Sequence, residues 1–223
     1  MKWYNMEDQK IFETKNLSKL IKRLEIDVYG VADMQLLQEM ETGLPTDVQK
    51  FIKMFPYAIV LGVQYGKLGK KASGTESALF LEEAAFSIME YLENRGYRQL
   101  IIHTEDEFDP INRLGFMSLK VLAKTAGLGW QGRSLLIISP EYGPLHRLIA
   151  ILTDLPLQVN DILKNECGDC QKCIEACPKN ALTLVNFNDH PSRRDNVLNI
   201  KKCLGDNGCL ACILPCPWLK KPT

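Results

Sequence analysis

All eight cysteines of this 223-residue chain lie in one stretch, where they form two runs of a similar pattern. The first run, before Pro178, reads Cys167-x2-Cys170-x2-Cys173-x3-Cys177. The second run, before Pro217, reads Cys203-x5-Cys209-x2-Cys212-x3-Cys216. Two-residue gaps let three thiolates of one loop reach three irons of a cubane, and the cysteine before proline ligates the other cluster. The spacing therefore predicts two [4Fe–4S] clusters.

The predicted ligands cross between the two runs. Cluster one takes Cys167, Cys170, Cys173 and Cys216, whereas cluster two takes Cys203, Cys209, Cys212 and Cys177. Two tetrathiolate zinc sites would use the same number of ligands at similar spacing, so zinc remains an alternative. Disulfides are disfavoured because no apolar signal peptide opens the chain, and clustered cysteines in a reducing compartment are more often metal ligands.

Charge and hydropathy limit the partners and the location that the protein is expected to have. The chain has 27 basic and 27 acidic residues, so no global charge recruits nucleic acid. No apolar run reaches the roughly 18 residues of a membrane span, which predicts a soluble, cytoplasmic protein without a membrane partner. Basic residues are nevertheless concentrated after residue 163: Lys164, Lys172, Lys179, Arg193, Arg194, Lys201, Lys202, Lys220 and Lys221. They either offset the negative charge of two clusters or form a docking face for an acidic electron donor.

The residues before the cysteines predict an α+β domain over 1–157, followed by a cluster module over 158–223. Apolar residues at helical spacing predict helices over 11–26, 76–95 and 114–126, a helix from Met34 capped by Asp33, and a short helix stopped by Pro56. Strands are predicted over 28–32, 58–63 and 100–104, and the second, which is apolar throughout, should be central. Residues 134–139 and 146–152 flank a proline and glycine turn and predict an antiparallel hairpin.

Two further segments have open roles. The lysine- and glycine-rich residues 66–74 predict an exposed loop, either a flexible connection or a lid. His103, at the end of a strand, is expected to be structural and not catalytic. Between the last long helix and the hairpin, Gly127, Gly129 and Gly132 permit positive φ values and close backbone approach. This block follows a helix, so the dinucleotide-binding fingerprint does not apply.

Three blocks in order carry a resemblance to a known family. They are the segment from Lys124 to Ser134, Pro140–Gly143 with Thr153-Asp154, and the cysteine run. Together they resemble the epoxyqueuosine reductases, which are relatives of the reductive dehalogenases. The resemblance is strongest over residues 120–217, and it is weaker over 56–102. The chain reads as a short form, because the helical-repeat region that follows the cysteines in full-length members is not seen before Thr223.

The resemblance implies a fold and a set of cofactors. It implies a nitroreductase-like N-terminal domain, a C-terminal ferredoxin-like dicluster module and a cobalamin between them. Electrons from a donor such as a ferredoxin or flavodoxin would pass through the clusters to cobalt. The implied cofactor-binding residues are Gly127, Gly129, Trp130, Gln131, Gly132, Arg133 and Ser134.

This sequence also departs from the family pattern. The family's catalytic aspartate would fall near Arg113, and Asp109 is displaced by several residues, so no catalytic residue is assigned. Without the helical-repeat region, tRNA recognition is in doubt and nucleic acid is not expected as a partner. Two functions stay open: a corrinoid-dependent reductase, and a non-catalytic dicluster ferredoxin-type electron-transfer protein that docks on a redox partner.

Overall fold

The computed structural model describes residues 5–40, 46–64, 68, 74–104, 111, 115–187, 191, 193–205 and 209–220. The helices are α1 (Met6–Arg23), α2 (Met34–Met40), α3 (Thr46–Met54), α4 (Gly74–Glu93), α5 (Leu119–Thr125), α6 (Lys172–Glu175) and α7 (Arg194–Val197). The strands are β1 (Val28–Asp33), β2 (Tyr57–Gln64), β3 (Gln99–Ile102), β4 (Trp130–Gln131), β5 (Ile137–Ser139) and β6 (Gly143–Thr153). Within these residues, no helix is both long and apolar enough to cross a bilayer.

The six strands form one antiparallel sheet in the order β1-β2-β6-β5-β4, and β3 also pairs with β6. Strand β6 is the centre of this sheet, since it pairs with β2, β3 and β5. The predicted central position of β2 is confirmed, because β2 lies between β1 and β6. The predicted hairpin is confirmed as well, with Ser139 opposite Gly143.

Alternate residues of the two central strands enter two separate cores. Ala58 and Val60 of β2 pack in a core with α2, α3 and α5, whereas Ile59 and Leu61 pack in a core with α1 and α4. Residues of β6 divide in the same way between the two cores. The sheet is therefore covered by helices on both faces, which explains why β2 has almost no polar residues. The architecture is mixed α/β around an antiparallel sheet.

Side-chain caps and one backbone turn explain why the ends of two helices differ from their predicted positions. Helix α1 begins earlier than predicted because Asn5 Oδ1 accepts from the Asp8 amide at 2.8 Å. It also ends earlier, since Glu25 has a φ of 55°. Helix α5 begins only at Leu119, and the prediction of a helix from residue 114 was wrong. The Ser118 hydroxyl caps it by accepting from Val121 N at 3.3 Å, and Phe116 lies before that cap.

Several predicted features lie outside the described residues. These are most of the 66–74 loop, the acidic segment around Asp109, and Arg113. His103 is described, and its Nδ1 lies 2.8 Å from Glu82 Oε2 near the surface. His103 therefore has a side-chain partner, and its structural role stays a prediction.

After Leu157 the chain has little regular structure. Helices α6 and α7 have four residues each, and Leu182 forms an antiparallel bridge with Leu198. Two backbone hydrogen bonds flank that bridge: Thr183 N donates to Val197 O at 2.8 Å, and Asn199 N donates to Ala181 O at 2.8 Å. This short ladder joins the two cysteine runs.

Candidate iron–sulfur site

The eight thiols are all half-buried, and none forms a disulfide. Tight turns present the first run: the Cys170 amide donates to Cys167 O, and Cys177 N donates to Ile174 O, each at 3.1 Å. Asn165 fixes the start of this loop, because its Oδ1 accepts from Cys167 N at 2.9 Å. Apart from Cys173, which lies in α6, the cysteines are held outside helices and strands.

Cys173 and Cys216 belong to one group of thiols. Burial raises the pKa of Cys216, and the neighbouring Cys167 and Cys170 raise it further. Burial raises the pKa of Cys173 to about 11, with further contributions from Cys167, Cys212 and Cys170. Cys216 of the second run therefore lies near Cys167 and Cys170 of the first.

Cys177 belongs to the second group. Burial raises the pKa of Cys212 to about 11, and the thiols that add to this rise are Cys209, Cys203 and Cys177. Burial also acts on Cys177, but surrounding backbone N–H groups outweigh it and lower the pKa of that thiol. One of these donors is Ala181 N, at 3.3 Å from Cys177 Sγ. The Gly205 amide likewise lies 3.4 Å from Cys203 Sγ.

The first group borders a small cavity of about 40 Å³ that opens to solvent. Its wall includes Cys167, Cys170, Cys173 and Cys216 on one side and Gly132, Arg133 and Ser134 on the other. Cys212 also reaches this wall, so it lies between the two groups. In the described residues, no three Cys, His, Asp or Glu side chains converge closely enough for a single metal ion.

The glycines of the 127–132 block make close approaches to the protein's own chain. A Cβ on Gly127 would lie 2.5 Å from Asp161 O, and one on Gly129 would lie 2.1 Å from Ile138 O. A Cβ on Gly132 would lie 2.8 Å from Ile138 Cγ1 and 3.4 Å from Cys167 Sγ. Only Gly127 has a positive φ, of 69°, so positive φ is not the reason for the other two glycines.

The side chains of this block hold the cysteine module in place. Trp130 is buried and packs edge-to-face on Trp218, with ring centroids 4.9 Å apart. The backbone carbonyl of Gln131 accepts from Asn165 Nδ2 at 3.0 Å. The ring N–H of Trp130 is buried and has no hydrogen-bond partner in the described residues.

Arg133 makes the most extensive of these links. Its Nη2 donates to Gly168 O at 2.6 Å, and its Nη1 donates to Val185 O at 3.2 Å and to Asn186 Oδ1 at 3.0 Å. The Arg133 guanidinium therefore binds the loop that carries Cys167. Ser134 joins Gly132 and Arg133 on the cavity wall.

Sequence reasoning missed Asn165 and Trp218 as parts of this site. Asn165 stands two residues before Cys167, and asparagine commonly accepts a hydrogen bond from the amide two residues later. That signal could have been found. Trp218 follows Cys216-Pro217, but its packing on Trp130 joins residues far apart in sequence and has no local signal.

Comparison with known proteins supports this arrangement. Residues 166–219 match the 4Fe-4S dicluster domain family. An epoxyqueuosine reductase of Vibrio cholerae serotype O1 is 37% identical over 110 residues, which are 44% of this chain and 29% of that protein. One of Aliivibrio fischeri is 32% identical over 150 residues, which are 62% of this chain and 37% of that protein. The chain is a relative of the epoxyqueuosine reductases. It matches about a third of the length of these relatives.

Solved structures share the fold of this epoxyqueuosine reductase relative. A selenomethionine-labelled epoxyqueuosine reductase superposes with a TM-score of 0.67 at 20% identity, covering 96% of this chain and 66% of that one. A catabolic reductive dehalogenase superposes with a TM-score of 0.71 at 19% identity, covering 98% of this chain and 33% of the other.

Two further solved structures carry ligand information about those proteins. One is an epoxyqueuosine reductase with a stem loop of an epoxyqueuosine-modified tRNA-Tyr, at a TM-score of 0.58 and 21% identity over 79% of this chain and 53% of that one. The other is a reductive dehalogenase whose structure suggests a mechanism for B12-dependent dehalogenation, at a TM-score of 0.58 and 19% identity over 81% of this chain and 27% of that one.

Proposed function

We propose that this protein is an iron–sulfur oxidoreductase with two [4Fe–4S] clusters in crossed ligation. Residues 1–157 would form a nitroreductase-like domain, and residues 158–223 would form a ferredoxin-like module. The observation that carries the proposal is the position of the thiols: Cys216 of the second run lines the same cavity as Cys167, Cys170 and Cys173 of the first, and the bridge between Leu182 and Leu198 brings Cys177 and Cys203 to one end of the module. This is the grouping that crossed ligation of two cubanes would need.

The bound clusters would supply one-electron chemistry, and the protein's residues would tune and enclose them. Amides of Ala181 and Gly205 donate to Cys177 and Cys203 sulfur. Hydrogen bonds to ligand sulfurs stabilise the more negative, reduced cluster and raise its reduction potential. Arg133 adds a positive charge on the cavity wall beside Cys167 and Cys170. The thiols are therefore set in surroundings that favour electron uptake.

A cobalamin is the electron acceptor that we propose. The resemblance to the epoxyqueuosine reductases supports it, as does the fold shared with a B12-dependent dehalogenase. Gly132, Arg133 and Ser134 line the small cavity beside the first group of cysteines, so they would lie next to its cluster, and their contact with cobalamin stays a prediction. Gly127 and Gly129 pack on the protein's own backbone, and Trp130 and Gln131 are buried, so their direct contact with cobalamin stays a prediction.

Partners and location follow from the same reasoning. A ferredoxin or flavodoxin would supply electrons, in the reducing cytoplasm that thiolate-ligated clusters require. The expectation that nucleic acid is not a partner is doubtful, because a solved epoxyqueuosine reductase holds a tRNA stem loop. A tRNA substrate therefore belongs among the candidates to be tested.

Metal analysis and two cysteine substitutions test the clusters. Anaerobically purified protein should contain about eight irons and eight acid-labile sulfides per chain. Cys177→Ala should remove the cluster held by Cys203, Cys209 and Cys212, whereas Cys216→Ala should remove the other, with Mössbauer and EPR spectra as the readout. Zinc at about two per chain without sulfide would contradict the proposal. Loss of the first-run cluster in Cys177→Ala would show that the ligands do not cross.

A spectral titration under reducing conditions tests cobalamin, because the cobalt oxidation state and axial ligation are visible in absorption. Saturable binding and cobalt reduction that depends on the clusters would support the reductase. Intact clusters without binding at micromolar cobalamin would favour the non-catalytic electron-transfer protein. Gly132→Val should weaken binding if the cavity wall contacts the cofactor.

A further inference from the structure

The two cysteine groups differ in what covers them. The first group is covered by the N-terminal domain, since Gly132 approaches Cys167 Sγ and Arg133 binds Gly168 O. Trp130 packs on Trp218 at the same boundary. These contacts place the first group inside the molecule, between the module and the sheet domain.

The second group lies at one end of the short ladder between Ala181 and Asn199. Lys179 precedes Ala181 by two residues and Lys201 follows Asn199 by two, so both are on the same end of this antiparallel pair as Cys177 and Cys203. Cys212 lies close enough to both cysteines for them to affect its pKa. The ladder therefore brings two lysines to the side where the second cluster would be held.

Three exposed lysines, Lys179, Lys201 and Lys202, lie at this end of the module. Asp195 lies before Val197, at the other end of the ladder, and is ion-paired with Arg194 at 3.3 Å. The three lysines therefore bring positive charge to the end that holds Cys177 and Cys203.

Two leucines add apolar area to the same region. Leu204 is 43% exposed and follows Cys203, and Leu214 is 57% exposed and stands two residues after Cys212. Exposed apolar side chains next to charged ones form the centre and rim of a transient protein interface. Offsetting cluster charge would explain the lysines but not the exposed leucines.

We propose that Lys179, Lys201, Lys202, Leu204 and Leu214 form a docking surface for a small acidic electron-carrier protein. The reduced carrier would lose one electron and the cluster held by Cys177, Cys203, Cys209 and Cys212 would gain it, with no bond made or broken. This inference rests on the proposed function, because it requires that cluster. Complementary charge would speed the encounter and make it sensitive to salt.

The test compares two charge reversals of equal size in the full chain with its clusters. Lys179→Glu with Lys201→Glu alters the proposed surface, and Lys15→Glu with Lys19→Glu alters exposed positions on α1. The probe is flavodoxin, a small acidic FMN protein, and its Kd is measured by calorimetry at low and high ionic strength. The first variant should bind about tenfold more weakly at low ionic strength, and the control should bind as the original protein does. Salt should reduce the difference.

Other outcomes would overturn the docking surface. Equal weakening in both variants would show a general charge effect. Unchanged affinity with a lowered cluster reduction potential would show that the lysines only offset cluster charge. A tRNA stem loop that binds in a Lys179- and Lys201-dependent way, when flavodoxin does not, would identify a nucleic-acid site instead.

Reduction by dithionite separates this inference from the proposed function. In one outcome, dithionite reduces the clusters of every variant while flavodoxin binds with an affinity that does not depend on Lys179 and Lys201. That result would overturn the docking surface alone. Protein that holds no iron and sulfide would overturn the proposed function and the docking surface with it.

Discussion

Gly132 is the residue at which the sheet domain and the first cysteine group come closest. A side chain there would meet Ile138 first and Cys167 Sγ next. We expect Gly132→Val to lower the iron content from about eight to about four per chain, by displacing the cluster that Cys167 ligates. Iron and sulfide analysis measures this effect.

Gly96→Val is the matched control for that substitution. Gly96 has a φ of 78° and open space around its Cα, so valine there should cost about 1–3 kcal/mol of stability through backbone strain. Its iron content should not change. If both variants lose iron equally, the close approach at Gly132 does not act on the cluster.

The sequence could predict that this glycine block is closely packed, but not what it packs against. Three glycines in six residues indicate that a side chain would not be tolerated. The neighbours, however, are Asp161, Ile138 and Cys167, and the last is 35 residues away from Gly132 in the chain. A local pattern carries no information on such a partner, and the resemblance pointed to a cofactor at glycines that contact the chain itself.

Helix α4 provides a test at the scale of an element. Leu81 is fully buried against the sheet, and Leu79 on the same helix is 58% exposed. We expect Leu81→Ala to lower the free energy of unfolding by about 2–5 kcal/mol, because it leaves a cavity. Leu79→Ala should change it by less than about 0.5 kcal/mol. Urea unfolding followed by circular dichroism measures both free energies. A similar loss of stability in the two variants would contradict the packing of Leu81 against the sheet.

Elements with a clear hydrophobic pattern were predictable, and elements without one were not. Helix α4 buries one face and shows the helical period, whereas β2 is buried on both faces and is a continuous apolar run. The predicted helix around α5 was too long, because Phe116 continues the apolar spacing. The helix itself begins only after its cap, Ser118. The cysteine module shows no period at all, because turns and thiols, and not an apolar face, determine its path.

At the scale of the whole molecule, the sheet domain has its own cores. The two core clusters use residues from Leu17 to Leu157, whereas the buried apolar residues in the described part of the module are Ala181, Leu182, Val197 and Ile213. Removal of iron by a chelator should therefore unfold the module and leave the sheet domain folded. Trypsin should then cleave within residues 164–202, while far-UV circular dichroism keeps most of its signal.

Complete loss of secondary structure on iron removal would contradict that independence. Treating the iron-loaded protein with trypsin under the same conditions is the control, and its lysines in the module should be protected more strongly. Hydrogen exchange at β6 gives a second measurement, because amides of a central strand should stay protected in the folded sheet domain.

For the segment that joins the sheet domain to the cysteine module, the sequence indicated only that regular secondary structure is absent. It runs along β1, where Val31 N donates to Asn160 Oδ1 at 2.8 Å and Asn160 N donates to Val31 O at 3.0 Å. Gln158 N also donates to Thr14 Oγ1 at 2.8 Å. These bonds join residues more than 120 positions apart, so periodicity could not reveal them, although they fix the module against the sheet.

The central strand β6 is also the last strand to be synthesised. Among the described strands, β3 pairs with β6 alone. One edge of β2 also stays unpaired until β6 has been made. At about 5–20 residues per second, β6 leaves the ribosome roughly 4–18 s after β2. The sheet can close only then, and the first cysteine, Cys167, follows Thr153 by 14 residues. During translation, the surface that receives the cysteine module is therefore completed at nearly the moment when the first thiol appears.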